Sequence, residues 1–342
     1  MATRFATINL YNFAEPPVSW YHPDNQYSED QWQSKSQWLK QQLDTMNADV
    51  VGFQEIFSIE ALKALVKEAG YPHFATIEEP LVIDEDNQVM KNPVVGVASK
   101  HPITNVEAVI ENPGIVAQLP IQDDFSFSRK PIKATIDIPE LGKTIVYVAH
   151  LKSKRPTMPK LAFDENSSTT VKVFATAQGN SLGEIASMIQ RGVEATMIYH
   201  DATFELVADT NLPLLIMGDM NDNDESDILD ALSNQFSHLR LEGRSRGEWT
   251  EQEKVAHYQS KLYDAWHLIT HQNTKVRLPT HIYGPQTSVL DYIFVSNALN
   301  AKNPNHVAKP SKYKVYNSHI FADGVGDQLQ SDHGIVMLEV DK

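Results

Sequence analysis

LPLLIMGDMND, residues 212–222, begins as an apolar run and ends in polar side chains. A short apolar run bounded by turn formers predicts a buried β-strand. Asp219 and Asn221 stand where this strand should end, so the segment predicts a carboxylate and an amide at one edge of a sheet. The same pattern of a short strand with a polar end recurs through the chain.

Seven other segments have this short, β-branched or apolar character between turn formers. Between some of these strands, apolar residues recur with the spacing of an α-helix, at 29–46, at 59–69 and from about 181 to 208. The last of these helices has a predicted apolar face of Leu182, Ile185, Ile189, Val193 and Met197. The helices should cover the faces of sheets. The predicted strands are FATINL (5–10), DVVGFQEI (49–56), VVGVASK (94–100), PIKATIDI (131–138), TIVYVAHL (144–151), LDYIFVS (290–296) and GIVMLEV (334–340).

The chain has no internal repeat, low-complexity tract or Pro/Gly-rich linker that would separate two self-sufficient halves. The polar strand ends come from both ends of the sequence, which favours one domain over residues 1–342. Long irregular segments between the predicted elements are typical of functional loops. These predicted insertions lie near 11–27, 152–180, 240–260 and 297–330.

Composition excludes several classes of site. The chain has no Cys, so disulfides, thiolate metal sites and cysteine nucleophiles are excluded, and a metal must be held by oxygen or imidazole ligands. A membrane helix needs roughly 18 consecutive apolar residues. The sequence has no such stretch, so we expect no membrane partner. The N-terminal MATRFATINLYNF does not resemble a signal peptide, which favours the cytoplasm, although a cloned mature form of an exported protein would look the same.

The formal net charge of -15 argues against a protein that coats a polyanion through bulk electrostatics. It does not exclude a phosphate substrate, because acids that bind metal cations contribute to the same count. Residues 297–322 contain no acid and several lysines, so we predict a cation-rich loop that faces a phosphate backbone. Its lysines are Lys302, Lys309, Lys312 and Lys314.

Residues suited to phosphoester hydrolysis stand at the predicted strand ends. This reaction needs neutralised phosphoryl oxygens, a positioned water and help for the leaving oxygen. Mg²⁺ and Mn²⁺ prefer carboxylate and amide oxygens. A single Asp after a strand is usually a turn or cap residue, so only the complete set of residues indicates a catalytic site. The set comprises Asn9, Glu55, His150, Asp219, Asn221, Asp291, Asp332 and His333.

The order of these residues closely resembles the endonuclease/exonuclease/phosphatase superfamily, which has the DNase I-like fold. The resemblance runs from residue 5 to residue 340. It implies an α/β (α+β) protein, a four-layer α/β/β/α sandwich of two packed mixed β-sheets with the active site at one edge. The matching motifs are Asn9, Gln54-Glu55, His150-Leu151, Gly218-Asp219-Met220-Asn221, Leu290-Asp291, Ser331-Asp332-His333, ASKHPI (98–103) and SRKP (128–131).

The resemblance implies a metal site and a hydrolytic reaction. Glu55 and Asp332 would hold Mg²⁺ or Mn²⁺ with support from Asn9. Asp219 and Asn221 would orient the attacking water and a phosphate oxygen, or form a second metal position. With these roles the resemblance implies a metal-dependent phosphoric ester hydrolase.

Histidine supplies the remaining chemistry in this interpretation. His333, held by Asp291, would act as a general base or stabilise the phosphoryl group, and His150 would assist the leaving group. A carboxylate partner fixes the tautomer of an imidazole and favours its cationic form, so Asp291 and His333 are a plausible dyad.

Four cations are candidates for substrate binding. Lys152, Lys154 and Arg155 follow His150 directly, and Arg129 lies in the SRKP turn. Solvated turns or surface ion pairs are the alternative interpretation for each of them.

The motifs favour a nuclease that cleaves DNA or RNA. HLKSK, PTHIYGP (279–285) and VLDYIFVS look more like bacterial nuclease branches of the superfamily than its other branches. A phosphatase or phosphodiesterase for a small-molecule or lipid phosphoester is the alternative. A catalytically inactive binding protein is an alternative of another class, and no obligate protein partner is indicated.

Overall fold

The structure is a computed structural model that describes residues 2–84, 88–119, 121, 125–234, 239–269, 276–321 and 329–342. Its helices are α1 Glu29–Met46, α2 Ile59–Glu68, α3 Pro113–Val116, α4 Thr169–Ala208, α5 Asp227–Ser233, α6 Glu251–Gln259 and α7 Ala265–Leu268. Short 3-10 turns lie at Arg246–Glu248, Asn297–Leu299 and Ser318–Phe321.

The strands follow the predicted segments and add shorter ones between them. They are β1 Thr3–Phe13, β2 Ser19–Trp20, β3 Val50–Ile56, β4 His73–Thr76, β5 Leu81–Val82, β6 Val89–Lys91, β7 Val94–Ser99, β8 Ile103–Ala108, β9 Ile132–Ile138, β10 Gly142–His150, β11 Leu214–Asp219, β12 Leu262–Asp264, β13 His281–Tyr283, β14 Gln286–Ser288, β15 Asp291–Ser296, β16 Lys309–Tyr316 and β17 Ile335–Asp341.

Two large mixed sheets dominate the described part of the chain. The first has the strand order β16-β17-β1-β3-β7-β4 and the second β12-β15-β11-β10-β9-β8. Each contains one parallel pair at its centre, β1 with β3 and β10 with β11, among antiparallel neighbours. Smaller sheets pair β13 with β14 and β2 with β6 and β5.

Side-chain alternation along the strands builds three apolar layers. In β10, Val146 and Val148 lie in the core between the two sheets, while Ile145 and Tyr147 lie in the core under α4. The other face of the first sheet is covered by α1 and α2. Successive strand residues point to opposite faces, so each sheet buries one face on its partner and one on helices. The predicted α/β/β/α sandwich is confirmed.

One glycine sets the distance between the sheets. A Cβ atom on Gly52 in β3 would lie 2.9 Å from Val148 in β10 and 3.0 Å from Met217 in β11. Contacts this short are essentially repulsive, so the two sheets can approach to this distance only because the position has no side chain.

Helix α4 differs from the prediction. It begins at Thr169, so within the predicted insertion 152–180 only residues 152–168 are irregular. The predicted apolar face is also wrong in its first half, because the exposed fractions are 65% for Leu182, 52% for Ile185 and 43% for Ile189. Small residues face inward there instead, and a Cβ on Gly183 would lie 2.7 Å from the carbonyl oxygen of Thr157.

The preceding loop therefore covers the first half of α4, and the sheet covers the second half, where Val193 and Met197 are buried as predicted. No α-helix in the described ranges combines the length and the apolar character that a bilayer span requires.

The other predicted insertions also contain regular elements. The segment 297–330 includes β16, an edge strand of the first sheet, and its residues 322–328 lie outside the described part of the chain. Helix α6 occupies much of 240–260, and β2 lies within 11–27. Polar, lysine-rich composition suggested loops, but an edge strand tolerates such residues because its outer side faces solvent.

Candidate active site

Strand pairing brings the predicted residues to one edge of the two sheets. In the parallel pair β10 and β11, His150 lies opposite Asp219, and in the antiparallel pair β11 and β15, Asp219 lies opposite Asp291. In the first sheet, Asn9 lies opposite Gln54, which places Glu55 one residue further along. The register of five strands thus produces a cluster from distant parts of the sequence.

Asp219 lies at the centre of this cluster. Its Oδ1 accepts a hydrogen bond from the Asn221 backbone N–H at 2.8 Å. Its Oδ2 lies 3.1 Å from Asn9 Nδ2, 3.4 Å from His150 Nε2 and 3.8 Å from His333 Nε2. Burial raises the pKa of Asp219 to about 7. A buried carboxylate with these neighbours is suited to exchange a proton near neutral pH.

The glycine of the GDMN motif lets Asp219 reach this position. Gly218 has φ 146°, and a Cβ atom on it would lie 1.9 Å from the carbonyl oxygen of Ala149. Any other residue would therefore push β11 away from β10. After the strand, Asn221 adopts φ 50° and its Nδ2 donates to Leu151 O at 3.1 Å. Asn accepts this left-handed conformation more readily than most residues.

Asp291 and His333 form a buried dyad, with His333 Nδ1 2.9 Å from Asp291 Oδ2. Burial lowers the pKa of His333, but the charges of Asp291 and Asp219 outweigh burial and raise it well above its usual range. Asp291 is itself held by Thr280, whose hydroxyl accepts from the Asp291 backbone N–H at 3.1 Å. The hydrogen bond to Asp291 therefore orients the imidazole of His333 and favours its protonated form.

His150 has the opposite character. It is buried, and burial together with the charge of Arg129 lowers its pKa well below the usual range. Its Nδ1 has no hydrogen-bond partner among the residues that the structure describes. Two imidazoles whose pKa values are shifted in opposite directions therefore lie near the same Oδ2 of Asp219.

Glu55 and Asp332 could hold a hard cation. Burial raises the pKa of Glu55, and the nearby charge of Asp332 raises it further. Glu55 Oε2 accepts from the Asn12 backbone N–H at 2.9 Å, while Asp332 Oδ1 is buried without a partner in the described ranges. Carboxylates that repel each other and keep an unused buried oxygen fit a bound Mg²⁺ or Mn²⁺.

Asn9 lies between two carboxylates. Its Nδ2 is 3.5 Å from Glu55 Oε1 and 3.1 Å from Asp219 Oδ2, and its Oδ1 already accepts from the Tyr11 backbone N–H at 3.0 Å. The amide is therefore arranged to position Glu55 and Asp219. This geometry suits Asn9 better as a support for the two carboxylates than as a direct ligand of the metal.

A third histidine, not predicted from the sequence, lies at the site. The His281 ring is 4.9 Å from the His333 ring, and the possible ligand atoms of His281, Asp332 and His333 lie within 4.8 Å of one another. The same holds for Asp219, Asp291 and His333. His281 lies in the PTHIYGP segment, which indicated a resemblance but not this contact.

Comparison with known proteins places the chain in a family. A model of the Endonuclease/Exonuclease/phosphatase family matches residues 6–333. The chain belongs to this family. Its members are phosphoric ester hydrolases that generally depend on a divalent metal. No curated protein sequence matches the chain significantly.

Solved structures show the fold of the family at low sequence identity. The catalytic domain of human Nocturnin with bound sulfate is 12% identical, covers 99% of this chain and 93% of its own, and has a TM-score of 0.57. Zebrafish (D. rerio) TDP2 complexed with a single-strand DNA product is 12% identical, with 100% and 99% coverage and a TM-score of 0.52. A mannosyl-6-phosphatase from Bacteroides thetaiotaomicron is 16% identical, with 99% and 100% coverage and a TM-score of 0.52.

The four predicted substrate-binding cations have different surroundings in this family member. Arg129 acts electrostatically on Glu55 and His150, so it lies beside the site. Lys152 Nζ contacts the carbonyl oxygen of Arg155 at 3.1 Å, and Arg155 itself is exposed. Lys154 points elsewhere, because its ammonium pairs with Asp222 at 3.3 Å.

Charged side chains of α4 support these loops and were missed in the sequence. Arg191 Nε lies 3.0 Å from Asp222 Oδ2, and both residues are buried. The acidic run DNDES (222–226) has the composition of a solvated turn, but Asp222 is buried and its charge is compensated inside the protein. The similar run DEDNQ (84–88) lies mostly outside the described residues. Burial of a charge depends on a distant partner, so local sequence gives no signal for it.

Three of the lysines of 297–322, the segment predicted to face a phosphate backbone, lie on β16, which leads away from the site. Along β16, Tyr316 pairs with Ile335 near the site, whereas Lys309 pairs with Asp341 at the far end of β17. At about 3.4 Å per residue this separates Lys309 from the site end by roughly 20 Å. Tyr313 packs on the core and under Arg277 instead of facing outward.

Proposed function

We propose that the protein is a divalent-metal-dependent nuclease that hydrolyses phosphodiester bonds in DNA or RNA. The observation that carries this proposal is the buried cluster around Asp219, with the Asp291–His333 dyad on one side and the Glu55 and Asp332 carboxylates close by. An inactive binding protein would not need this complete set.

The acids support a proposed position for the metal. Glu55 and Asp332 would hold Mg²⁺ or Mn²⁺, and Asn9 would keep Glu55 in position. A bound cation would neutralise the phosphoryl oxygens, which carry the charge of the substrate. Without it, the two carboxylates and a phosphate would repel one another.

The remaining residues would have different roles in proton transfer and charge stabilisation. Asp219, with a pKa of about 7, would orient the attacking water and accept its proton, next to Asn221. The raised pKa of His333 keeps it protonated, which favours stabilisation of a phosphoryl oxygen over action as a base. Neutral His150 would help the leaving oxygen through a hydrogen bond.

Nucleic acid is the favoured substrate because the charge of Arg129 acts on Glu55 of the acid cluster and Lys152 follows His150 by two residues, so phosphates adjoining the cleaved bond would pass these cations. TDP2, a neighbour in structure, is described with a single-strand DNA product. A small-molecule phosphoester is the second candidate. The mannosyl-6-phosphatase is as similar in fold, and the lysines of β16 run away from the site.

A substrate panel tests the proposal. Metal-stripped protein is assayed with and without Mg²⁺ or Mn²⁺ on plasmid DNA, single-stranded DNA, RNA, bis-p-nitrophenyl phosphate and p-nitrophenyl phosphate, with EDTA and Asp219→Asn as controls. We expect metal-dependent cleavage of a polynucleotide. Hydrolysis of p-nitrophenyl phosphate alone would favour the phosphatase, and full activity after exhaustive chelation would exclude the metal mechanism.

A further inference from the structure

The first half of α4 carries a row of large apolar side chains that face solvent, here called the α4 stripe. A helix brings residues three or four apart onto one face, so these side chains adjoin one another. Their exposed fractions lie between 43% and 66%. Together they expose roughly 500 Å² of apolar surface, and patches of this size often mark an interaction site. The α4 stripe consists of Val171, Phe174, Leu182, Ile185 and Ile189.

The loop before α4 packs on a different side of the helix. A Cβ atom on Gly183 would lie 2.7 Å from Thr157 O of this loop. At about 100° per residue, Gly183 points roughly 140° away from Gln178, which lies in the middle of the stripe. Beyond the stripe, a Cβ atom on Gly192 would lie 3.9 Å from Ile228 of α5. Neither the loop nor α5 therefore covers the α4 stripe.

The apolar residues of the stripe are spaced symmetrically about Gln178. Val171 and Phe174 precede Gln178 by seven and four residues, and Leu182 and Ile185 follow it by four and seven. In a two-fold pair, residue i of one copy meets residue j of the other, and j meets i. A two-fold axis at Gln178 between antiparallel helices would thus place Phe174 against Leu182 of the second copy, and Val171 against Ile185. Each of these four side chains would meet an apolar partner.

The polar residue at the centre also suits a contact with its own copy. Gln178 is exposed, and its amide both donates and accepts, so two Gln178 side chains on the axis could hydrogen-bond each other. A single polar residue in an apolar helix seam is a known means of fixing the register. The segment 173–183 contains no charged residue. Two chains of net charge -15 could therefore meet here without like charges in the contact.

We propose that the α4 stripe is a homodimer interface, on which a second copy of this chain packs with its α4 antiparallel and with the two-fold axis at Gln178. Two stripes would cover roughly 1,000 Å² of apolar surface, and the flanking polar residues would bring the total near the lower bound for specific protein pairs. The dimer does not depend on the proposed nuclease activity.

Sedimentation equilibrium of the full chain tests the interface. We expect a dimer with a Kd in the micromolar range, and Leu182→Glu should raise this Kd by about 30-fold or more because it places a charge against Phe174 of the second copy. Val173→Glu is the matched control. Val173 is 58% exposed but points roughly 140° away from Gln178, so this variant should remain dimeric. Thermal unfolding of each variant checks the fold.

Cysteine cross-linking tests the position of the axis. The chain has no Cys, so Gln178→Cys introduces a single thiol. A residue on a two-fold axis meets its own copy, so a short bismaleimide should link two chains of Gln178→Cys. The control Val173→Cys should stay unlinked, and adding Leu182→Glu to Gln178→Cys should abolish the link. The comparison of the two Cys variants carries the test if Leu182→Glu unfolds.

Three results would overturn the proposal. The first is a wild-type chain that stays monomeric at about 100 μM, well above a micromolar Kd. The second is an equal effect of Leu182→Glu and Val173→Glu on the Kd, or equal cross-linking of the two Cys variants. The third is a monomer that sediments with phosphatidylcholine vesicles and loses this binding in Leu182→Glu, which would assign the α4 stripe to a lipid surface.

Discussion

His333 Nδ1 lies 2.9 Å from Asp291 Oδ2, and the register of β11 with β15 places the same Asp291 opposite Asp219. One aspartate therefore orients the imidazole that faces the central carboxylate. Because both partners are buried, water does not compete for this hydrogen bond.

Asp291→Asn should lower turnover by roughly 10²-fold or more, because a loss of this size is typical when a positioned acid–base group is removed. Metal affinity should stay nearly the same, and added metal should not restore the rate. Single-turnover kinetics and calorimetric metal titration measure both quantities.

The double variant tests whether the dyad acts as one unit. In the Asp291→Asn background, His333→Ala should cost little further activity, because residues of one unit have non-additive effects. Losses that multiply independently would show that the two residues act separately.

Glu55→Gln should weaken metal binding, since the site loses a carboxylate ligand while Asn9 and Asp219 keep their places. We expect a higher Kd for Mn²⁺ by calorimetry and partial recovery of activity at high Mn²⁺. An unchanged metal affinity would place the cation elsewhere, for example at His281 and Asp332.

The pH profile of kcat/KM should have two limbs. Burial raises the pKa of Asp219 to about 7, so the carboxylate that accepts a proton forms only as the pH rises through this range. His333 has a raised pKa and loses its proton at higher pH, so the rate should fall again. A bound cation shifts the acidic limb downward. A profile that is flat from pH 5 to 9 would contradict both assignments.

Gly218→Ala should destabilise the protein by several kcal/mol, because its Cβ would lie 1.9 Å from Ala149 O at a backbone φ of 146°. Gly243 is the matched control. It has φ 78° but no atom within 4 Å of its Cβ position, so Gly243→Ala should cost only about 1 kcal/mol. Equilibrium urea unfolding of the two variants compares them, and equal losses would rule out the steric argument.

Polynucleotide binding should depend on one group of cations and not on another. Neutralising Lys152, Lys154 and Arg155 together should weaken binding and flatten its salt dependence, by about one unit of slope for each lost phosphate contact. The matched triple change at Lys309, Lys312 and Lys314 should do neither. Binding curves at several salt concentrations distinguish them, and equal effects would indicate a nonspecific charge contribution.

The strands and their polar ends could be predicted because both signals are local. An apolar run that ends in Asp219 or His150 predicts both a strand and the site residue at its end. The buried face of α4 could not be predicted, since it depends on the loop that lies over Gly183. The burial of Glu194 likewise requires two loops that are distant in the sequence.

The hold of Glu194 on two loops has a consequence for redesign. The turn at Ser128 and the loop at Lys152 share one carboxylate, and further side chains of the same part of α4 also bind them, since Gln190 Nε2 donates to Ser126 O and Arg191 Nη1 donates to Lys152 O. A graft that exchanges one loop with a relative would leave the other against a mismatched support. Chimeras of this protein should therefore transfer both loops and the facing turn of α4 as one cassette, while the edge that carries Asp219 stays untouched.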